Sequence, residues 1–161
     1  MSRSGTEVGV TVRVNTREVS ITVDARTSLA TFLREHLRLM GTRIGCDTSQ
    51  CGACTVLLDG KSVKSCNVLA AQVQGKSVIT IEGLLGPRGE LNPMQESFRR
   101  HHALQCGYCT SGMVMRACEI VAAPVKLTDA GISEALEGNL CRCTGYHNIV
   151  AAIREVMHVP I

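Results

Sequence analysis

The sequence predicts an α+β protein in two parts: a small sheet domain over residues 1–84 and an all-α four-helix bundle over residues 85–161, joined by a linker at about 83–91. Three observations carry this. Apolar residues alternate with a period of two near the N-terminus and recur at helical spacing beyond residue 92. A stretch rich in Gly and Pro separates the two regimes. Eight of the nine cysteines fall into two quartets that do not interleave, one on each side of that stretch.

The elements follow in order. Val8, Val10, Val12 and Val14, then Val19, Ile21 and Val23, alternate as two half-buried strands, with Asn15–Arg17 between them as a hairpin turn. Ser28 is a candidate N-cap for a helix whose apolar face is Leu29, Phe32, Leu33 and Leu37. Thr55–Leu58 is a short strand ending at the turn signal Asp59-Gly60, and Val78–Ile81 is another. Gly83 to Gly89, with three Gly and one Pro in seven residues, breaks any period. Asn92-Pro93-Met94-Gln95 then starts a helix, with Asn at the cap, Pro at the first position and Gln at the third. Met113, Val114, Ala117, Ile120 and Val121 form a second helical stripe; Thr128 caps a helix with Ile132 and Leu136; Ile149, Val150, Ile153, Val156 and Met157 form the last.

At 161 residues, with two Phe, two Tyr and no Trp, the chain must build both cores from aliphatic side chains and Met. Cores that small are marginal alone, so bound metal is expected to contribute folding energy as well as function. The formal charge of +3 counts every cysteine as neutral. Two four-thiolate iron–sulfur groups at roughly −2 each would bring it to about −1, so the basicity does not argue for nucleic acid. Arg99, Arg100, His101 and His102 form one local basic cluster, read as a solvated helix end or a subunit contact. No apolar leader opens the chain and no apolar run approaches membrane-spanning length, so a cytoplasmic protein is expected. In that compartment clustered thiols point to metal or redox chemistry rather than disulfides.

The first quartet is Cys46-x4-Cys51-x2-Cys54 with a remote Cys66, which is plant-type ferredoxin spacing. Gly45 and Gly52 suit a loop that wraps a cluster closely, and Asp47, Thr48, Ser49 and Gln50 are short or polar fillers that leave its amides free. A four-cysteine zinc site would pair two knuckles, whereas here Cys51 and Cys54 make one knuckle and Cys66 stands apart. The second quartet, Cys106-x2-Cys109 with Cys141-x-Cys143, begins with a pair that a redox motif or half a zinc site could also use. Cys141-Arg142-Cys143 is unusual for zinc and suits a two-metal core, and both segments precede expected helices, whose N-termini favour an anion. Cys118 has no partner at ligand spacing and reads as a buried structural thiol. His36, His101, His102, His147 and His158 show no spaced carboxylate or nucleophile and read as surface or helix-end residues.

The motifs Gly45-Cys46-Asp47-Thr48-Ser49-Gln50-Cys51-Gly52-Ala53-Cys54, Val63-Lys64-Ser65-Cys66, Leu104-Gln105-Cys106-Gly107-Tyr108-Cys109 and Gly138-Asn139-Leu140-Cys141-Arg142-Cys143-Thr144-Gly145-Tyr146 resemble the small iron–sulfur subunit of the molybdenum hydroxylases. This is the xanthine dehydrogenase and aldehyde oxidoreductase family. In detail the motifs look closest to the aerobic carbon monoxide dehydrogenase-type small subunits, and relatives acting on N-heteroaromatics share most of them. The resemblance spans nearly the whole chain. It implies a plant-type ferredoxin-like (β-grasp) domain followed by a helical 2Fe–2S domain. Cys46, Cys51, Cys54 and Cys66 would hold one 2Fe–2S cluster, and Cys106, Cys109, Cys141 and Cys143 the other. It further implies a large partner subunit carrying molybdopterin cytosine dinucleotide and a medium subunit carrying FAD, assembled as a dimer of heterotrimers. Electrons would run from molybdenum through the second quartet, then the first, to FAD, and Gln105 would contact the pterin. One departure is Ser111, where the family commonly has Pro; Ser suits that helix start and can cap it.

The chain itself has no Gly-x-Gly-x-x-Gly after a strand and no Gly-rich phosphate loop. It therefore reads as a non-catalytic electron conduit whose substrate is decided on other polypeptides. The alternative is a free-standing two-cluster carrier, which would purify alone.

Overall fold

The computed structural model describes residues 6–158. β1 (Glu7–Val14) and β2 (Arg17–Asp24) form an antiparallel hairpin in which Val14 faces Arg17 across a two-residue turn, with Asn15 left-handed at φ 56°. β3 (Thr55–Leu58) and β4 (Lys61–Lys64) form a second hairpin through Asp59 and Gly60. β5 (Ser77–Ile79) runs parallel to β1 and antiparallel to β3, giving a mixed sheet of order β2-β1-β5-β3-β4. The expected strand Val78–Ile81 therefore starts and ends earlier than its apolar pattern suggests. Ile81 instead opens a 3-10 turn, Ile81–Leu84. β4 was not signalled in the sequence, because its burial is partial and its residues are mostly polar.

Alternation in β1 places Val10, Val12 and Val14 in the core, where they meet Val23, Val56, Val73 and Val78. On edge strand β2, Val19 and Ile21 are half-buried. The helix capped by Ser28, whose hydroxyl accepts from the Thr31 N–H at 3.1 Å, begins as α1 (Leu29–Thr31) and widens into a π-turn, Phe32–His36. The Leu37 N–H reaches back five residues to the Phe32 carbonyl, and Leu29, Phe32 and Leu33 are fully buried beneath it.

The residues just before the expected linker are pinned. Thr80 is fully buried and exchanges hydrogen bonds with the Asn15 carboxamide, and the Gly41 N–H donates to Glu82 Oε1 at 2.7 Å. Beyond lie α2 (Pro93–Arg100), α3 (Thr110–Ala122), α4 (Asp129–Ala135) and α5 (His147–His158). Asn92 and Gln95 close a full capping box on α2. Met94, Phe98, Met113, Ile132, Leu136, Ile149 and Ile153 form a second core, separate from the sheet's. Among the described residues no helix is long and apolar enough to cross a membrane.

α3 packs against β3, so the two cores meet along one seam. Arg116 of α3 donates through Nε to the Ala135 carbonyl at 2.8 Å and through Nη1 to Ser62 Oγ at 3.0 Å, and it pairs with Glu119. One guanidinium thus ties α3 to the end of α4 and to β4.

Candidate metal centres

The first quartet sits on a loop that leaves the π-turn and ends at β3. Arg34 holds the start of the loop, donating to the carbonyls of Met40 at 3.2 Å and Thr42 at 2.8 Å. Ser49, at φ 59°, and Gly52, at φ 71°, supply its left-handed turns. The N–H groups of Cys51, Thr48 and Gln50 converge on Cys46 Sγ, Cys51 from 3.4 Å, and bring that thiol down to about 6. Cys66 reaches the site because of the β3–β4 hairpin. Thr55 pairs with Lys64, so the residues flanking the hairpin, Cys54 and Ser65, are also neighbours. The Ser65 N–H and hydroxyl both donate to the Cys54 carbonyl, at 3.3 and 2.7 Å. Cys66 follows at once in the 3-10 turn Ser65–Asn67, its Sγ 3.6 Å from Ser49 Oγ. Burial pushes the Cys54 thiol up to about 11.

The second quartet lies between helices. Cys109 is the residue before α3, and burial pushes its thiol up to about 12. Cys141 and Cys143 lie on the α4–α5 loop. α5 starts at His147, so these two cysteines do not stand at a helix N-terminus as expected; Gly145 and Tyr146, both with positive φ, intervene. The loop is held by Tyr146, whose hydroxyl accepts from the Cys141 N–H at 2.9 Å and donates to the Asn139 carbonyl at 3.2 Å. Thr144 supports Cys141 Sγ with its N–H at 3.4 Å and its hydroxyl at 3.1 Å. Burial opposes the ionisation of Cys141, but these two donors, with the Cys143 N–H and Cys109 adding to them, lower the thiol's pKa.

Among the thiols, Cys106 and Cys143 stand with sulfurs 3.6 Å apart. A disulfide would need about 2.05 Å. Two thiolates on one tetrahedral metal with bonds of about 2.3 Å lie roughly 3.8 Å apart. Among the described residues no set of three or more His, Cys, Asp or Glu converges on a single ion. A pair closed in this way, within quartets whose donors are all soft thiols, fits a two-iron cluster with two cysteines on each iron better than one zinc.

Two hydrogen bonds and a buried side chain join the quartets. The Leu140 N–H donates to the Cys51 carbonyl at 2.8 Å. Tyr108, between Cys106 and Cys109, donates through its hydroxyl to the Ile44 carbonyl at 2.7 Å, and the Arg43 guanidinium lies 5.3 Å over its ring. Asn139 is the buried link. Sequence reasoning gave no role to Tyr108, Asn139, Tyr146 or Arg116; their only signal was that the first three lie inside the cysteine motifs.

Other expected residues fall as follows. Gln105 is exposed, immediately before Cys106. Cys118 is half-buried in α3 against the second core, with the Asn92 carboxamide 4.0 Å from its sulfur, and burial raises its pKa. Ser111 does not cap α3: its hydroxyl and that of Thr110 are buried without a partner among the described residues. His101 does have a carboxylate, since its Nε2 lies 2.8 Å from Glu155 Oε2, which also accepts from Ser97 at 2.7 Å. That partner is 54 residues away, beyond the reach of local spacing.

Residues 12–79 match the family described as "2Fe-2S iron-sulfur cluster binding domain", and residues 80–154 match "[2Fe-2S] binding domain". The chain is 51% identical over 148 residues to the nicotine 6-hydroxylase small subunit of Paenarthrobacter nicotinovorans, across 92% of this chain and 88% of that one. It is 44% identical over 150 residues to the caffeine dehydrogenase subunit gamma of Pseudomonas sp. (strain CBB1), across 91% of this chain and 89% of that one. Its fold superposes on a chain of the quinoline 2-oxidoreductase crystal structure from Pseudomonas putida 86 with a TM-score of 0.90 at 43% identity, covering 95% of this chain and 94% of the other.

Proposed function

The chain belongs to the small iron–sulfur subunits of the molybdenum hydroxylases, and from that membership we propose how its residues divide the work. Cys46 and Cys51 hold one iron of a 2Fe–2S cluster, and Cys54 and Cys66 the other. Cys106 with Cys143, and Cys109 with Cys141, do the same for a second cluster. The observation that carries this is the 3.6 Å separation of the Cys106 and Cys143 sulfurs, supported by the spacing of the two cysteine quartets. The bound clusters supply one-electron redox chemistry. The chain supplies thiolates, amide donors around Cys46 and Cys141, and a fixed relation between the two sites.

The finer fold reading is a ferredoxin-like β-grasp domain to about residue 84 and a four-helix bundle after it. The mixed sheet within 7–79, the helices within 93–158 and the two separate cores support it. The proposed partners are a large molybdopterin cytosine dinucleotide subunit and a medium FAD subunit in a dimer of heterotrimers. Electrons pass from the molybdenum side through the second quartet to the first, then to FAD. Exposed Gln105 beside Cys106, with exposed Leu104 and Tyr108 near it, gives the molybdopterin side a carboxamide and an apolar footing. The relatives are named for nicotine and caffeine, so N-heteroaromatic oxidation is the proposed activity of the assembly. A cytoplasmic location belongs to the same proposal.

Anaerobic purification tests the ligand assignment. The expected result is a coloured protein with about four irons and four acid-labile sulfides per chain and two distinct EPR signals on reduction. One zinc per quartet and no sulfide would sink it. Elution of the iron-loaded chain alone, from cells that also express its neighbours, would favour the free carrier instead.

A further inference from the structure

The contacts between the two quartets converge on one side chain. Asn139 is 6% exposed and lies two residues before Cys141. Its carboxamide nitrogen donates to the Gly52 carbonyl at 3.0 Å, to Thr55 Oγ1 at 3.1 Å and to the Gly112 carbonyl at 3.3 Å. Gly52 sits between Cys51 and Cys54, Thr55 directly follows Cys54, and Gly112 is in the first turn of α3, three residues after Cys109. One NH2 group therefore touches the backbone of both cysteine segments while belonging to a third. The surroundings leave it no slack. A Cβ on Gly52 would fall 2.6 Å from Asn139 Nδ2, and one on Gly112 would fall 2.2 Å from the Gly52 carbonyl oxygen. Thr55 completes the knot by donating to the Gly52 carbonyl at 2.7 Å. The Gly52 carbonyl also accepts from the Thr55 N–H at 3.1 Å, and Asn139 adds a donor from a third segment; a carboxylate of the same size offers none.

We propose that Asn139 is a positioning residue for electron transfer between the two clusters, its carboxamide fixing the Cys51–Cys54 loop in distance and orientation relative to Cys109 and Cys141. This rests on the ligand assignment above and adds to it the device that sets the inter-cluster geometry. The Leu140 N–H to Cys51 carbonyl bond, one residue along, spans the same gap at 2.8 Å.

The test uses the iron-loaded full chain and its Asn139→Asp, Asn139→Ala and Thr55→Val variants. Iron content, midpoint potentials and the magnetic interaction between the two reduced clusters are followed by EPR. The inter-cluster transfer rate is followed after flash reduction. Asn139→Asp keeps the volume and removes the donor. It is expected to retain both clusters, to change the EPR interaction, and to slow inter-cluster transfer. Asn139→Ala should do the same, and Thr55→Val should shift the interaction less, in the same direction. A wild-type interaction and rate in Asn139→Asp would overturn the proposal, as would variants that only lower the Tm. If neither Asn139 variant loads iron, Thr55→Val decides, and an unchanged interaction there overturns the proposal. Wild-type protein without two EPR signals removes the ligand assignment and this proposal together; normal wild type with unmoved variants removes this proposal alone.

Discussion

Cys46 and Cys106, like Cys141, are thiols prepared to ionise without metal. Each accepts N–H donors from its own loop, Cys51 leading for Cys46 and Tyr108 for Cys106, and each is shifted down. Cys54 and Cys109 are shifted up by burial and must lose their protons to an incoming metal. Replacing one cysteine should therefore cost one cluster and spare the other. Cys106→Ser is expected to lose one EPR signal and about half the iron, leaving the second signal intact; loss of both would show that the sites load as one. Glu155 carries a separate prediction. Its carboxyl is held below the usual range by Ser97 first, against a burial penalty, with His101 and Arg100 adding to the effect. A depressed carboxylate contributes stability above its unfolded value and loses it as the pH falls through the lower folded value. Acid unfolding below the ordinary Glu range should become shallower in Glu155→Gln, as read by Tm against pH.

Among the elements, α2 and α3 differ in what sets them. α2 is set locally by Asn92, Pro93 and Gln95, and the sequence alone fixes its start. Asn92→Ala should cost about 1 kcal/mol, a fall in Tm of roughly 2–4 °C. α3 has no side-chain cap, since Cys109 occupies that position, and its placement comes from packing on β3. Gly112→Ala should cost about 1–3 kcal/mol by overpacking, because its Cβ would meet the Gly52 carbonyl oxygen at 2.2 Å. Thermal unfolding of the iron-loaded protein measures both. The same contrast explains which elements could be read in advance. β1, β2 and α5 carry a strong period, and β3 ends on a turn dipeptide. β4 has neither signal and exists because β3 folds back through Asp59-Gly60 and needs a partner. The π-turn at Phe32–His36 also had no signal, because helical and π spacing place Phe32 and Leu33 on nearly the same face.

For the whole molecule, two small aliphatic cores share one seam, and each carries its own four thiols. Iron removal should therefore weaken both halves. Chelation under reducing conditions is expected to lower the Tm sharply and broaden the transition, followed by circular dichroism; an apo-protein as stable as the loaded one would assign the folding energy to the cores alone. The sequence by itself determined which residues are thiols, how they are spaced, where the period changes and where local caps and turns fall, because each depends on a few neighbouring positions. The tertiary structure decided that the Cys106 and Cys143 sulfurs meet, that Glu155 reaches His101, that Tyr108 reaches back to Ile44, and that Asn139 serves both cysteine segments at once. Those contacts join residues tens of positions apart. They form only when β3 and α3 bring two buried backbones close enough to share one carboxamide, a distance that no local spacing encodes.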